Sequence, residues 1–387
     1  MTFSDEEPAL WAGRATAEGT RRYAGRFPGR PGHFRCPDVL TLSSLSLGTR
    51  SGEPGGADDL LYRGAVSTCL ESGVNVINTA LSDRMQTSER AVGTALRRAF
   101  SEDLVQRDEV VVVTKGGSLV PEPARVRTQN DVQRDLYESY VTPGLIDPSE
   151  VVAGNALDPR FLRDQVRRSR ENLGLATLDI YLVEEPELHR RSLGATEFRE
   201  RLAAVFQMLE DCARQGWIGA YGISTWEGLL VPDTERGHLA ILDLFELALE
   251  AGSADHHLRA IQLPYGLAAG EGAALASQLG PEGQRSAALD AIADTGTAAF
   301  ASAPLFGGRI LGRIPGFVRN RFPDVGSDAQ CCLQFVRSTH GITSAVVGMR
   351  NPDHLDENLA LTQVPPVDAS VAASLFEQNR ENDSAPG

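Results

Sequence analysis

Val111-Val-Val-Thr-Lys-Gly-Gly117 is an unbroken apolar run that stops at a lysine and two glycines. A strand with one wet face alternates apolar and polar residues. A continuous β-branched run marks a strand covered on both faces, as in a parallel sheet packed under helices. Helical periodicity lies on both sides of it, over residues 88–100 and 160–175. The same alternation runs outward to both ends of the chain. Strand-like runs fall at 42–47, 74–78, 110–115, 178–183, 219–223, 260–263, 298–302 and 344–347. Amphipathic stretches follow at 57–72, 88–100, 160–175, 198–215, 239–251, 286–294, 328–339 and 354–361. Eight such units with right-handed crossovers predict a single (β/α)8 TIM barrel, an α/β fold, with active groups at the C-terminal strand ends. An open doubly wound sheet is the competing arrangement, but no G-x-G-x-x-G follows the first strand.

Around this barrel, the sequence predicts a flexible or loosely docked N-terminal arm over 1–33, a barrel over 34–378 and a frayed polar tail over 379–387. Two long inserts, 119–158 and 264–284, follow the third and sixth strands and would lie on the C-terminal face as covers or disordered loops.

The chain has 387 residues, 42% of them hydrophobic, which is enough for a large core. A formal charge of −15 leaves no basic stripe for nucleic acid. No apolar run is long enough to span a membrane, and no leader pattern opens the chain. Cys36, Cys69, Cys212, Cys331 and Cys332 are odd in number and lack metal-ligand spacing, so they read as reduced thiols in a cytoplasm, with Cys331 and Cys332 small core residues of a helix. No metal site is expected. The number of subunits is left open.

Of the 37 lysines and arginines, only Lys115 is lysine. Arginine replaces lysine wherever a positive charge suffices. It does not replace a compact amine whose pKa can be moved. Lys115 therefore reads as a functional amine at the mouth of a strand.

Several strand ends carry further short motifs: Gly48-Thr49, Gly73-Val-Asn-Val-Ile-Asn-Thr-Ala80, Ser88-Glu-Arg-Ala-Val-Gly93, Thr114-Lys-Gly-Gly117 and Leu178-Asp-Ile-Tyr-Leu-Val-Glu-Glu-Pro186. Gly219-Ala-Tyr-Gly-Ile-Ser-Thr225, Gln262, Ala303-Pro-Leu-Phe-Gly-Gly308 and Gly348-Met-Arg-Asn351 with Glu357-Asn358 continue the series. Together and in this order they resemble the aldo-keto reductase superfamily.

That resemblance implies a hydride-transfer tetrad of Asp, Tyr, Lys and His, falling here on Asn78, Asp83, Lys115 and Glu184. Only the lysine is kept, so ordinary carbonyl reduction by a phenol donor is not expected. Asn78 can bond Lys115 without balancing its charge, while Asp83 and Glu184 bring two carboxyls toward one ammonium. Repulsion and burial should leave a shared proton there, unless Arg84 neutralises Asp83. Tyr137 and Tyr140 on the first insert are candidate replacement phenols, and Trp226 a candidate pocket wall.

The resemblance also implies NADP(H) as cofactor. Arg350 with Gly348, Asn351, Glu357 and Asn358 would hold the 2′-phosphate and adenine, and Ser224 and Gln262 the nicotinamide amide. Ser302, Pro304, Leu305 and Gly307 would lie under the pyrophosphate, and Gly48 and Thr49 at the first strand end. The expected activity is an NADP(H)-dependent oxidoreductase with an altered proton donor, acting on an activated small molecule such as an enone or imine. Specialised bacterial metabolism is a fitting setting. A second reading is a non-redox dehydratase, lyase or isomerase using Lys115 with the two acids. A third is a catalytically silent relative that binds a nucleotide or a partner.

Overall fold

The computed structural model describes residues 10–383. Eight parallel strands close into a barrel: β1 (Leu45–Gly48), β2 (Val76–Asn78), β3 (Val111–Gly116), β4 (Leu178–Glu184), β5 (Ile218–Ser224), β6 (Leu258–Pro264), β7 (Ala298–Ser302) and β8 (Ser344–Gly348). Each strand pairs with its sequence neighbours, and β8 returns to β1 through Gly348 opposite Gly48. Closure removes both sheet edges, which an open doubly wound sheet would keep.

The outer ring is α1 (Gly56–Glu71), α2 (Thr87–Ser101), α3 (Pro159–Leu173), α4 (Ala195–Arg214), α5 (Ile241–Gly252), α6 (Ala288–Thr295), α7 (Asp328–Ser338) and α8 (Pro352–Ala360). α3 shows why these stretches are helical. Asp158 caps its first amides, Pro159 stands at the first helical position, and Gly174 ends it in the left-handed conformation.

The strand period of two sorts side chains between two apolar cores. Val111, Val113, Ile180, Leu182, Val76, Ala260, Ala298 and Phe300 fill the barrel interior. Val110, Val112, Tyr181, Val183, Ile77 and Ile261 pack outward against the helices. Carried one step further toward the C-terminal ends, the inward series reaches Asn78, Lys115, Glu184, Gln262 and Ser302. This alternation converts spacing in the chain into a shared polar layer at the mouth.

Three expectations need correction. Of the expected arm, residues 1–9 lie outside the described residues, and the described part, 10–33, is not loose: residues 17–25 form a helix capped by Thr16, and Tyr23 is fully buried with its hydroxyl donating to the Leu70 carbonyl at 2.7 Å. Arg22 and Arg26 pair with buried Glu109, and the Ala15 amide donates to Asp179. The segment closes the N-terminal end of the barrel. Composition suggested mobility because its glycines, prolines and arginines hide a few buried anchors. The predicted first strand is also broken, since Leu42–Ser43 pairs antiparallel with Phe34–Arg35 in the same closure. At the other end, helix Ala369–Asp383 runs across the boundary expected at 378, so the barrel unit does not stop there. Part of the expected tail, 384–387, lies outside the described residues.

Both inserts are ordered. The first contains helix Gln129–Leu136. The second packs Ser277 and Gln278 onto the Leu229 carbonyl, with a short pair of strands behind them. Cys331 and Cys332 are buried on α7, and all five cysteines are free thiols. Among the described residues no helix is long and apolar enough to cross a membrane.

Candidate active site

Lys115 ends the inward face of β3. Its Nζ donates to Asn78 Oδ1 and to the Thr79 carbonyl, each at 2.7 Å, and only 6% of the residue is exposed. An ammonium has three N–H donors, so one is left for a substrate. Asn78 passes the chain on, its Nδ2 donating to Gln262 Oε1 at 2.9 Å. Buried Asp83 accepts from the Thr49 hydroxyl at 2.9 Å through Oδ2. No described residue hydrogen-bonds its Oδ1. Half-buried Glu184 accepts from Ser82 and Ser118, each 3.2 Å away. Ser82 precedes Asp83 in the chain, so the two carboxyls reach the mouth on adjoining supports.

The charges do not balance by direct pairing. Burial pulls the Lys115 ammonium below its ordinary range, against the opposing pull of Asp83 and Glu184. Burial raises both carboxyls, against Lys115. Desolvation is the larger effect on all three, which is the condition for a proton held at the mouth rather than two free carboxylates.

The loop carrying Asp83 is itself strained. Arg84, Met85 and Gln86 are consecutive non-glycine residues at φ of 51°, 51° and 70°. Left-handed backbone costs an L-residue about 1–2 kcal/mol. The Lys115 carbonyl accepting from the Leu81 amide at 3.2 Å, and Gln86 Nε2 donating to the Pro121 carbonyl at 3.0 Å, hold the loop in place. Arg84 is not turned on Asp83. Its guanidinium pairs with Asp59, donates to the Glu53 carbonyl at 2.8 Å and stacks on Tyr62.

Neither candidate phenol reaches this layer. Tyr140 is buried in the insert, its hydroxyl donating to the Val120 carbonyl at 2.7 Å and its ring under Arg168. Tyr137 is exposed on the insert surface. Trp226 is 46% exposed at the end of β5, its amide donating to buried Glu187 Oε1 at 2.6 Å. Thr79, Ser82, Ser118 and Glu187 were missed from sequence. The available signal was a hydroxyl or carboxyl one to four residues beyond a strand end.

The residues matched to a nucleotide site fall on the same face. Gly348, Gly48 and Asn78 are neighbours in register, and Ser224 stands between Glu184 and Gln262. Thr49 is instead bonded to Asp83, so it belongs to the acid cluster. Arg350 forms an ion pair with Asp58 of α1. Asn351 caps α8, its side chain accepting from the Asp353 amide at 2.9 Å. Glu357 is half-buried and its carbonyl accepts from Gln330. Asn358 is 2% exposed, and its Oδ1 is buried without a partner. Ser302 and Leu305 are half-buried, Pro304 is buried, and Gly307 lies at φ 64° in the exposed turn. An orphaned amide oxygen on α8, a partly exposed arginine just before that helix and an open glycine turn at the end of β7 are groups that suit a purine with a phosphorylated ribose. The residues therefore fit a nicotinamide nucleotide.

A cavity of about 320 Å³ opens at the opposite, N-terminal end, lined by Arg14, Leu42, Asp179 and Arg259 among others. Of its two acids, Asp179 is held by Arg107 and two backbone amides and Asp38 pairs with Arg259, so neither is left for chemistry comparable to the mouth layer.

The model of the Aldo/keto reductase family matches residues 45–231. The NADH-specific methylglyoxal reductase of Escherichia coli (strain K12) is 29% identical over 188 residues, 47% of this chain and 48% of that protein. The D-threo-aldose 1-dehydrogenase of a Pseudomonas species is 28% identical over 46% of this chain and 47% of that protein. The chain thus spans about half the length of the curated relatives it matches. Among solved structures, the aldo-keto reductase AKR11C1 from Bacillus halodurans, in its holo form, superposes with a TM-score of 0.58 at 17% identity, covering 89% of this chain and 95% of that one. An aldo/keto reductase from Klebsiella pneumoniae in complex with NADP and acetate gives 0.57 at 18% identity, covering 90% and 95%.

Proposed function

Because this chain belongs to the aldo-keto reductase superfamily, we propose that it is an NADP(H)-dependent oxidoreductase with an altered proton-donor site, acting on an activated small molecule. The observation that carries the reading is the mouth layer itself. Lys115 is bonded to Asn78 and Thr79 with one donor left, and two raised carboxyls stand beside it. Arg350, Asn358, Gln262 and Ser224 would hold the nucleotide, with Arg350 offering a second pair of N–H groups to a 2′-phosphate while Asp58 keeps the first. When bound, a reduced nicotinamide supplies a hydride.

The chain's own groups do the rest. Lys115 and a protonated Glu184 or Asp83 donate hydrogen bonds to charge that develops on the substrate. Thr49, Ser82 and Ser118 hold the acids in place. One observation favours a second reading: the buried ammonium of Lys115 is depressed and lacks a paired aspartate. That suits it to take a proton next to a carbonyl in a non-redox dehydratase or isomerase.

Titration of the purified protein with NADPH, NADP⁺ and NADH by calorimetry tests the proposal. The expected result is binding, with NADPH preferred over NADH and the preference erased in Arg350→Ala. No binding of either nucleotide rejects it in favour of the non-redox reading.

A further inference from the structure

Arg350 already holds an anion of its own chain. It lies two residues beyond β8, half-buried, and its Nη1 pairs with Oδ1 of Asp58 in the first turn of α1. The other oxygen of that carboxylate, Oδ2, accepts from the Glu53 amide at 2.7 Å. Donation from that amide, together with the charge of Arg350, holds the Asp58 carboxyl below its ordinary range, so it is a carboxylate at neutral pH.

The loop after β1 is shaped for this approach. Gly52 lies at φ 107°, and a Cβ there would run into both Asp58 Oδ2 and Arg350 Nη1. On one side of it the Tyr62 hydroxyl donates to the Ser51 carbonyl at 2.8 Å, and on the other Arg84 Nε donates to the Glu53 carbonyl at 2.8 Å. The charge of Arg84 also bears on Asp58, but its own ion pair is with Asp59. Asp58 is thus presented to one guanidinium.

Arg350 keeps Nε and Nη2 without a hydrogen-bond partner among the described residues. A guanidinium has donors on more than one edge, so a second anion can bind there. A ribose 2′-phosphate on the open edge would share one positive charge with the Asp58 carboxylate. A phosphate monoester carries about −1.5 to −2 at pH 7, and like charges set this close repel. The 2′-hydroxyl of NAD(H) brings no charge to be repelled.

We infer that Asp58 sets the cofactor preference of this barrel: it holds Arg350 as an internal counter-ion, opposes the 2′-phosphate across the shared guanidinium and narrows the advantage of NADPH over NADH. The inference rests on the reading in which Arg350 meets the 2′-phosphate. Asp58 acts through Arg350 and is a positioning residue.

The test is calorimetric titration of the full chain with NADPH and NADH, comparing the parent with Asp58→Asn and, as a second neutral variant, Asp58→Ser. Both substitutions remove the charge and keep an oxygen that can accept from the Glu53 amide. Each should raise the ratio of NADPH to NADH affinity about tenfold, through tighter NADPH binding. Asp59→Asn removes the same charge one residue on, where it serves Arg84, and should leave the ratio near that of the parent. Adding Arg350→Ala to Asp58→Asn should abolish the gain. Damage to the fold would weaken both nucleotides together and would not raise the ratio. An unchanged or lowered ratio in the neutral variants overturns the inference and makes Asp58 only a support for the loop. An equal rise in Asp59→Asn overturns it as well, because the acidity of α1 at large would then account for the gain. If the parent binds nucleotide and the ratio does not move, this inference alone is rejected. If the parent binds neither nucleotide, the oxidoreductase reading falls with it.

Discussion

Lys115 Nζ lies 2.7 Å from both Asn78 Oδ1 and the Thr79 carbonyl, a seat sized for an ammonium. A guanidinium is broader, and its donors are fixed in a plane. Lys115→Arg should therefore lower kcat/KM nearly as far as Lys115→Met, by about 100-fold or more. An arginine variant that keeps most of the activity would show that only charge is needed there. The same layer predicts very slow reduction of aromatic aldehydes, since no phenol stands at position 83. Asn78→Asp, Asp83→Tyr and Glu184→His combined should raise that rate. Brisk aldehyde turnover by the parent protein would mean that another donor is at work.

Glu184 gives a pH signature. Burial holds its proton more firmly in the folded state than in the unfolded chain, despite Lys115. A carboxyl raised in this way stabilises the fold fully below its ordinary value of 4.5, and that contribution fades as pH rises through the folded value. The urea midpoint of the parent should fall relative to that of Glu184→Gln as pH rises above 4.5. The opposite slope would mean that attraction to Lys115 outweighs burial.

Among the elements, the turn from β2 into α2 stores the clearest strain. Three successive residues, Arg84 to Gln86, occupy the left-handed region, where only glycine is at ease. They carry the chain so that Asp83 meets Thr49 while Arg84 turns outward to Asp59. Met85→Gly should raise stability by about 1 kcal/mol in chemical denaturation, less the chain entropy that glycine adds to the unfolded state. A clear loss would show that the Met85 side chain contributes more than its backbone costs.

For the molecule as a whole, the N-terminal segment is a structural part of the barrel. Tyr23 is fully buried against its base, and a Cβ at Gly19 would come within 2.2 Å of the Asp108 carbonyl. Tyr23→Ala should cost about 3–5 kcal/mol, read as a lowered denaturation midpoint. A cost near zero would mean the barrel is closed without this segment. The docking matters at a distance because the segment ties β3 and β4 together at their N-terminal ends. Ala15 and Val112 both donate to Asp179, leaving the opposite ends of the same strands to carry Lys115 and Glu184.

The sequence alone determined the eight strand–helix units, their parallel sense and the face on which active groups would gather. Each of those follows from apolar periodicity, a local property of the chain. It also singled out Lys115, as the one lysine among 37 basic residues at the end of an apolar strand, while the resemblance to a known family pointed to Asn78, Asp83 and Glu184. The tertiary structure decided which polar groups meet. Thr49 went to Asp83, Arg350 to Asp58, Arg84 to Asp59 and Tyr140 to a carbonyl of its own insert. It also turned the expected arm into the closure of the barrel base. Those outcomes depend on loop conformation and on contacts between segments far apart in the chain, where one left-handed residue redirects a side chain and periodicity carries no information.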